Sequence, residues 1–322
     1  MAFSRRTVLA TAGSAALSGP ITAVSARSAV SAGGGGSNAL VHRILIGNVE
    51  VIAIGDGHLD LEATMLPAAQ PEEVRTLLES AFLPVGPVRT FVNAFVVNVN
   101  GRRVLIDAGI GGGIASSLGR LLDNLAAADI TPAGIDTVLL THLHRDHVRG
   151  LSTPDGIALF PNAEIMVHEA ELAFWTDEKE EARAPAIAKP HFTVARAALK
   201  PYARRISTFA KDTEILKGIQ AVHAPGHTPG HTLYRIVSGS SSLLIAGDIV
   251  HMPALQFAHP DWSIVLDVDQ VAAGETRRRI LDATAVDRGM IAGMHFHFPA
   301  FGHVQRDRQG YQFAPALWQT GL

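Results

Sequence analysis

The chain has 322 residues, a formal net charge of −3 at pH 7 and a hydrophobic fraction of 47%. That is ample apolar material for a sizeable core, and the near-neutral balance excludes the basic footprint of a nucleic-acid binder. The absence of cysteine excludes a disulfide framework, a cysteine nucleophile, a thiolate zinc site and a lipoprotein anchor. Any metal site must therefore be built from imidazole and carboxylate.

At the N-terminus, Arg5-Arg6 precedes Val8-Leu9 and a Ser/Gly-rich apolar stretch, with small-residue cleavage candidates at Val24-Ser25-Ala26 and Val30-Ser31-Ala32. Residues 1–32 resemble a twin-arginine export signal, which implies a periplasmic or secreted protein. The stretch is too short and too polar to remain as a membrane anchor. "AGGGGSN" (32–38) reads as flexible, giving a leader over 33–40 and a single domain over 41–322.

Short β-like runs then alternate with helical stretches. "RILIGNVEVIAI" (43–54) alternates and contains a turn, and "FVNAFVVNVNGRRVLID" (91–107) predicts a hairpin turning at Asn100-Gly101. Helical periodicity follows over 114–128, then a strand over 135–141 and another over 163–168. Helices are expected around 169–175 and 193–203, strands over 218–224, 232–237 and 242–248, a helix over 269–285 and a last strand over 289–294. Arg277-Arg278-Arg279 reads as a solvated face of that helix. The pattern is a layered α/β architecture with polar, ligand-type residues at strand ends.

The chemistry concentrates in "THLHRDHVRG" (141–150). His142 and His144, two apart after an apolar run, project to one side if the chain stays extended, and Asp146 and His147 follow as it turns. Four candidate ligands in six residues exceed what one ion takes from so short a loop, whereas two adjacent ions would use them all. More ligand types follow other apolar runs: His223, His227 and His231 in "HAPGHTPGHT", Asp248 after "LLIAG", and His295 and His297 in "HFHF". His42, His58, His191 and His259 read as ordinary histidines, and His168 is ambiguous.

His-x-His-x-Asp-His, a distant Gly-His, a Gly-Asp and a final His together resemble the metallo-β-lactamase fold over roughly 41–310. The resemblance implies an α/β four-layer αββα sandwich holding two divalent ions. One ion would be held by His142, His144 and His227, the other by Asp146, His147 and His295, with Asp248 bridging. Asp56, Asp107 and His231 would orient those ligands from behind. The donor set favours zinc, while cobalt, manganese or iron also suit nitrogen and oxygen ligands. Within the superfamily, "HFHFPAFGHVQRDRQGYQFAP" (295–315), "ALQFAHP" (254–260), "AFWTD" (173–177) and "LKPYA" (199–203) are similar to the methyl parathion hydrolases. That likeness makes His295, not His297, the last ligand, places Trp175 and Phe192 in the substrate pocket, and implies a homodimer.

The expected function is hydrolysis of ester-type bonds in a small-molecule substrate, an organophosphate triester or aryl ester. Two ions about 3.5–4 Å apart acidify a bridging water and polarise the bond under attack, with Asp146 also shuttling protons. The alternative is a lactonase acting on acyl-homoserine or aromatic lactones. Such lactonases place a tyrosine three residues beyond the bridging aspartate; here that position is His251, which can also donate. A non-catalytic metal-binding protein is the third reading.

Overall fold

The computed structural model describes residues 38–308 and 310–319. The export-signal expectation, and the leader up to residue 37, lie outside the described residues. Leu40 already belongs to the fold: its carbonyl accepts from the Gly55 N–H at 2.9 Å, and its own N–H donates to Asn124 Oδ1 at 3.2 Å.

The first sheet runs in chain order: β1 (Val41–Ile46), β2 (Val49–Leu61), β3 (Val88–Val99), β4 (Arg102–Ile106), β5 (Thr137–Leu139), β6 (Glu164–His168) and β7 (Ile206–Phe209). Strands β1 to β4 pair antiparallel and β4 to β7 parallel. The hairpin expected at Asn100-Gly101 is present, with φ of 50° and 76° and Val99 opposite Arg102. Positive φ at both central residues is what a type I′ turn demands.

The second sheet holds β8 (Thr213–Leu216), β9 (Ile219–His223), β10 (Thr232–Ser238), β11 (Ser241–Ile245), β12 (Met290–Ala292), β13 (Phe301–Asp307) and β14 (Gly310–Pro315), again in chain order. Among the described residues of this sheet, only the β11–β12 pairing is parallel. Between those two strands lie α7 (Pro253–Gln256) and the long α8 (Gln270–Asp287).

Strand alternation sorts the core. Val51, Ala53, Phe95, Val97 and Ile106 of the first sheet meet Ile219, Leu233, Ile236 and Ile245 of the second. The intervening residues Ile52, Ile54, Val96, Leu105 and Val138 face the other way, onto helices α2 (Leu121–Ala127), α4 (Glu169–Thr176) and α6 (Lys189–Leu199). Helix α8 packs on the second sheet through Ile280 and Leu281. The order is helices, sheet, sheet, helix, as the αββα expectation has it. Among the described residues, no helix is long and apolar enough to cross a membrane.

Three local expectations need correction. The helix read over 114–128 starts only at Leu121, because Asp56 takes the N–H groups of Ile110, Gly119 and Leu121 and holds 110–121 as a loop. The helix read to 203 ends at Leu199 and tightens into a 3₁₀ turn, since Pro201 offers no N–H to continue it. Finally, Arg277 is no solvated residue: it is fully buried, whereas Arg278 lies at the surface.

The ligand-rich loop is seated on β4's exit by close backbone approach. The Gly150 N–H donates to the Gly109 carbonyl, Ala108 N–H donates to the His147 carbonyl, and a Cβ on Gly150 would fall 1.9 Å from the Ala108 oxygen. Gly150→Ala is therefore expected to lower the urea-unfolding free energy by about 3 kcal/mol, the upper range of overpacking costs. An unchanged midpoint would refute this tight seating.

Candidate metal centre

The site forms where strand ends of the two sheets meet. The loop after β5 brings His142, His144, Asp146 and His147, with His144 opening the short helix α3 (Arg145–Val148). The second sheet contributes His227 between β9 and β10, Asp248 after β11 and His295 after β12. All are buried except Asp146, which retains partial exposure. Two groups with converging ligand atoms result: His142, His144, His227 and Asp248, and Asp146, His147 and His295. A third group is Asp248, His251 and His295.

Asp248 joins them. Its Oδ2 lies 3.5 Å from His142 Nε2, 3.2 Å from His147 Nε2, 3.5 Å from His227 Nε2, 3.2 Å from His251 Nε2 and 2.9 Å from His295 Nε2. Its main-chain N–H donates to His231 Nε2 at 2.9 Å, and the other ring nitrogen of His231 faces the Ala224 carbonyl at 3.1 Å. His231 thus bridges the backbone from which Asp248 projects to the Ala224 carbonyl.

Hydrogen bonds also settle how each histidine points. Nδ1 of His147 bonds Asp107 Oδ2 at 2.7 Å, Nδ1 of His227 bonds Asp267 Oδ1 at 2.7 Å, and Nδ1 of His295 bonds the Phe91 carbonyl at 2.7 Å. Thr141 donates its Oγ1 proton to Asp107, so that oxygen accepts from His142 Nδ1 at 3.0 Å. With Nδ1–H donated outward, Nε2 is the nitrogen left to turn inward, and on each ring that is neutral it carries the lone pair a metal requires. His144 reverses the pattern and turns Nδ1 inward, 3.0 Å from His227 Nε2.

The charges sort accordingly. Burial pushes His142, His144 and His227 well below the usual imidazole range. Burial also opposes charge on His147, but Asp248, Asp146 and Asp107 outweigh it and hold its imidazolium well above that range. His295 is raised in the same way by Asp248 and Asp146. His227 Nε2 lies 3.2 Å from His142 Nε2 and 3.0 Å from His144 Nδ1, so these neutral rings either share a proton or turn their lone pairs onto one cation. His147 Nε2 and Asp248 Oδ1 are buried without a hydrogen-bond partner. An all-nitrogen-and-oxygen donor set with orphaned, converging atoms fits divalent cations.

A family model of the metallo-β-lactamase superfamily matches residues 87–295, a span running from β3 to the His295 loop. The chain belongs to the metallo-β-lactamase superfamily. Among solved structures, hydrolase AbOPH of the β-lactamase superfamily is 32% identical with a TM-score of 0.83, covering 88% of this chain and 100% of its own. AidC, a dizinc quorum-quenching lactonase solved with the product N-hexanoyl-L-homoserine, has a TM-score of 0.82 at 24% identity, over 88% of this chain and 100% of that one. A probable metal-dependent hydrolase from Staphylococcus aureus has a TM-score of 0.68 at 22% identity, over 85% and 100%. The last two share the fold. No curated protein matches the chain.

The structure sorts the remaining candidates of this superfamily member. Asp107 contacts His147 directly, but Asp56 touches no candidate ligand; it serves the 110–121 loop instead. His297 is exposed and lines a separate cavity with Phe91 and Arg89, whereas His295 lies in the converging groups. His168 caps α4 and stacks on His223 at 4.3 Å, away from the metal-facing groups. His42 packs on Trp318, His58 on Phe91, and His259 pairs with Glu73.

Facing the ligands is a cavity of about 330 Å³ lined by Leu59, Leu61, Met65, Ile187, Leu266 and His251. It shares His144, Ile187, His191 and Leu266 with a neighbouring cavity of about 230 Å³ walled by Phe174, Trp175 and Phe192. Trp175 and Phe192 therefore stand beside the metal-facing chamber, with ring centroids 4.5 Å apart.

Sequence reasoning missed four residues. His191, taken as ordinary, is buried 4.2 Å from the His144 ring and accepts from the Arg145 N–H. Asp267 orients His227, and Arg277 stands 3.6 Å behind Asp267 while donating to the Ile249 and Pro260 carbonyls. Glu171 accepts four hydrogen bonds beneath the ligand loops, and burial pushes its carboxyl up to about 7 in spite of them. Only the helical spacing that turns Arg277 inward was available as a signal.

Removing one partner of a buried ion pair strands the other. Arg277→Ala is expected to cost about 3–5 kcal/mol in denaturant unfolding, and Arg278→Ala less than about 0.5 kcal/mol. Equal losses would contradict the assignment of Arg277 as the buried member.

Proposed function

We propose that the chain is a binuclear metal-dependent hydrolase of ester-type bonds, similar to the methyl parathion hydrolases, acting on organophosphate triesters or aryl esters. The observation that carries this reading is the place of Asp248: it belongs to the first ligand group, and its Oδ2 also lies 3.2 Å from His147 and 2.9 Å from His295 of the second. His142, His144 and His227 would hold one ion, Asp146, His147 and His295 the other, and zinc is the ion the donor set favours. Bound there, divalent ions supply Lewis acidity that polarises a carbonyl or phosphoryl oxygen and acidifies water.

The chain's own groups do the rest. Burial works against charge on Asp146, yet His147 and His295 hold its carboxyl well below the usual range. Asp146 lines the chamber as a carboxylate, placed to take a proton from attacking water and pass it to the leaving oxygen. Leu59, Leu61, Met65, Ile187 and Leu266 limit bulk water and suit an apolar substrate body. The Trp175–Phe192 compartment offers an aromatic leaving group a face to lie on. The relation to AbOPH, a hydrolase, supports the reaction class. The export-signal likeness of residues 1–32 supports a periplasmic or secreted location.

One observation favours the second reading, a lactonase. His251, at the position where lactonases carry tyrosine, is buried and lines the chamber, with Nδ1 lacking a hydrogen-bond partner and Nε2 3.2 Å from Asp248 Oδ2. It stacks on His295 at 5.0 Å, and its main chain is held by Gln256 and Thr90. A ring so fixed can donate to a lactone carbonyl or to the departing alkoxide, and the AidC fold with its bound lactone product is compatible with such a substrate.

Metal analysis is expected to find two ions per chain, and chelation to abolish hydrolysis that added zinc or cobalt restores. With one metal-loaded preparation, kcat/KM for an aryl phosphotriester should exceed that for an aliphatic acyl lactone by at least about a hundredfold, about 2.7 kcal/mol. The reverse ratio establishes the lactonase, and two bound ions with no turnover of either substrate leaves a metal-binding protein.

His251→Phe discriminates further. If His251 serves lactone chemistry, the variant loses at least about tenfold in lactone kcat/KM while phosphotriester turnover stays within about threefold. Equal losses on both substrates would mean that His251 supports the centre rather than one substrate.

A further inference from the structure

Glu171 belongs to no ligand group and lines neither cavity beside the centre, yet it is a fully buried carboxylate between the two ligand loops. Its Oε1 accepts from the Leu143 N–H at 2.9 Å and the Trp175 Nε1–H at 2.6 Å. Its Oε2 accepts from Thr228 Oγ1 at 2.7 Å and the Gly230 N–H at 2.8 Å. Leu143 is the residue between His142 and His144, and Thr228 directly follows His227. One oxygen therefore grips the first ligand loop and the aromatic wall, and the other grips the second ligand loop. The fit is close: a Cβ on Gly230 would lie 2.3 Å from the Glu171 nitrogen.

Packing alone does not call for this residue. An apolar side chain of similar volume on α4 would avoid the desolvation of a carboxylate, so the charge is costly unless its acceptors have a task. The four donors come from three separate segments, which a neutral amide cannot satisfy together because its NH₂ would meet N–H and O–H groups. The other ligand group is held differently, His147 by Asp107 and His295 by the Phe91 carbonyl.

We propose that Glu171 is a positioning residue that sets the His142/His144 loop against the His227 loop and anchors Trp175 beside His144, whose ring it meets at 5.1 Å. It acts on one half of the centre only. This rests on the reading that the two ligand groups each hold an ion.

The test measures zinc binding by competition with a chromophoric chelator, independently of hydrolysis. Single-ion backgrounds separate the halves: His295→Ala leaves the His142/His144/His227 group, and His227→Ala leaves the Asp146/His147/His295 group. Adding Glu171→Gln is expected to weaken zinc by about tenfold or more in the first background, the usual effect of losing a ligand-supporting contact. In the second background the change should stay within about threefold. Thr228→Val, which removes one donor and keeps the carboxylate, should shift the same group in the same direction by less, and it tests the assignment should Glu171→Gln fold poorly. Equal weakening in both backgrounds, or none in either, overturns the positioning role. If the unmutated protein binds fewer than two ions, the two-ion reading falls first and takes this assignment with it.

Discussion

Asp248 gathers five imidazole nitrogens within 3.5 Å of a single carboxylate oxygen, in a place almost closed to solvent. An ionised carboxylate buried there is tolerable only because positive charge surrounds it, from protonated imidazole or from bound cations. The surrounding histidines outweigh burial and hold it well below the usual carboxylate range. Every other element of the centre is arranged to supply those nitrogens at fixed angles. Strand ends supply the positions, because a sheet fixes where its last residue stands while the loop beyond it is free to carry polar groups.

Orientation comes from a set of outward hydrogen bonds, not from the ligands themselves. Asp107, Asp267, Thr141 and the Phe91 carbonyl each take one Nδ1–H, and each sits on rigid framework: β4's exit, the segment before α8, the end of β5 and β3. Arg277 extends this support into the interior of α8. A long helix with few apolar residues on one face is thereby bound to the chemistry, which explains why it carries a fully buried arginine.

The cluster in the loop after β5 was legible in residue type and spacing, through His142, His144, Asp146 and His147, and Asp248 and His295 each follow an apolar run; the choice of His227 over His223 and His231, and of His295 over His297, came from the family resemblance. The hairpin at Asn100-Gly101 was legible because positive φ restricts which residues fit there. Asp267 and Glu171 were not. Each acts through contacts to distant segments, Asp267 at a separation of 40 residues from His227 and Glu171 at 57 from Thr228. Nothing in a local window distinguishes either from a surface acid. His191 was missed for the same reason, and Asp56 was overread because the family resemblance marks an acid there, whereas within β2 its carboxylate serves the 110–121 loop. Residues 301–315 were left without strands although they form the β13–β14 hairpin, since Arg306, Asp307 and Arg308 obscure the alternation.

Strand β3 has a double attachment. Thr90 lines the cavity that faces the Asp146, Asp248 and His295 cluster, and the next residue, Phe91, gives its carbonyl to His295 Nδ1. Further along, Asn93 donates to the Phe296 carbonyl at 2.8 Å, so the strand holds the His295 loop at two points. Any remodelling of the chamber wall that shifts β3 also turns an imidazole of the centre. Along this edge, the shape of the chamber and the set of His295 are one variable, and the α4–α6 side is tied to the other half in the same way, because Trp175 bonds the Glu171 carboxylate that holds the His142/His144 and His227 loops.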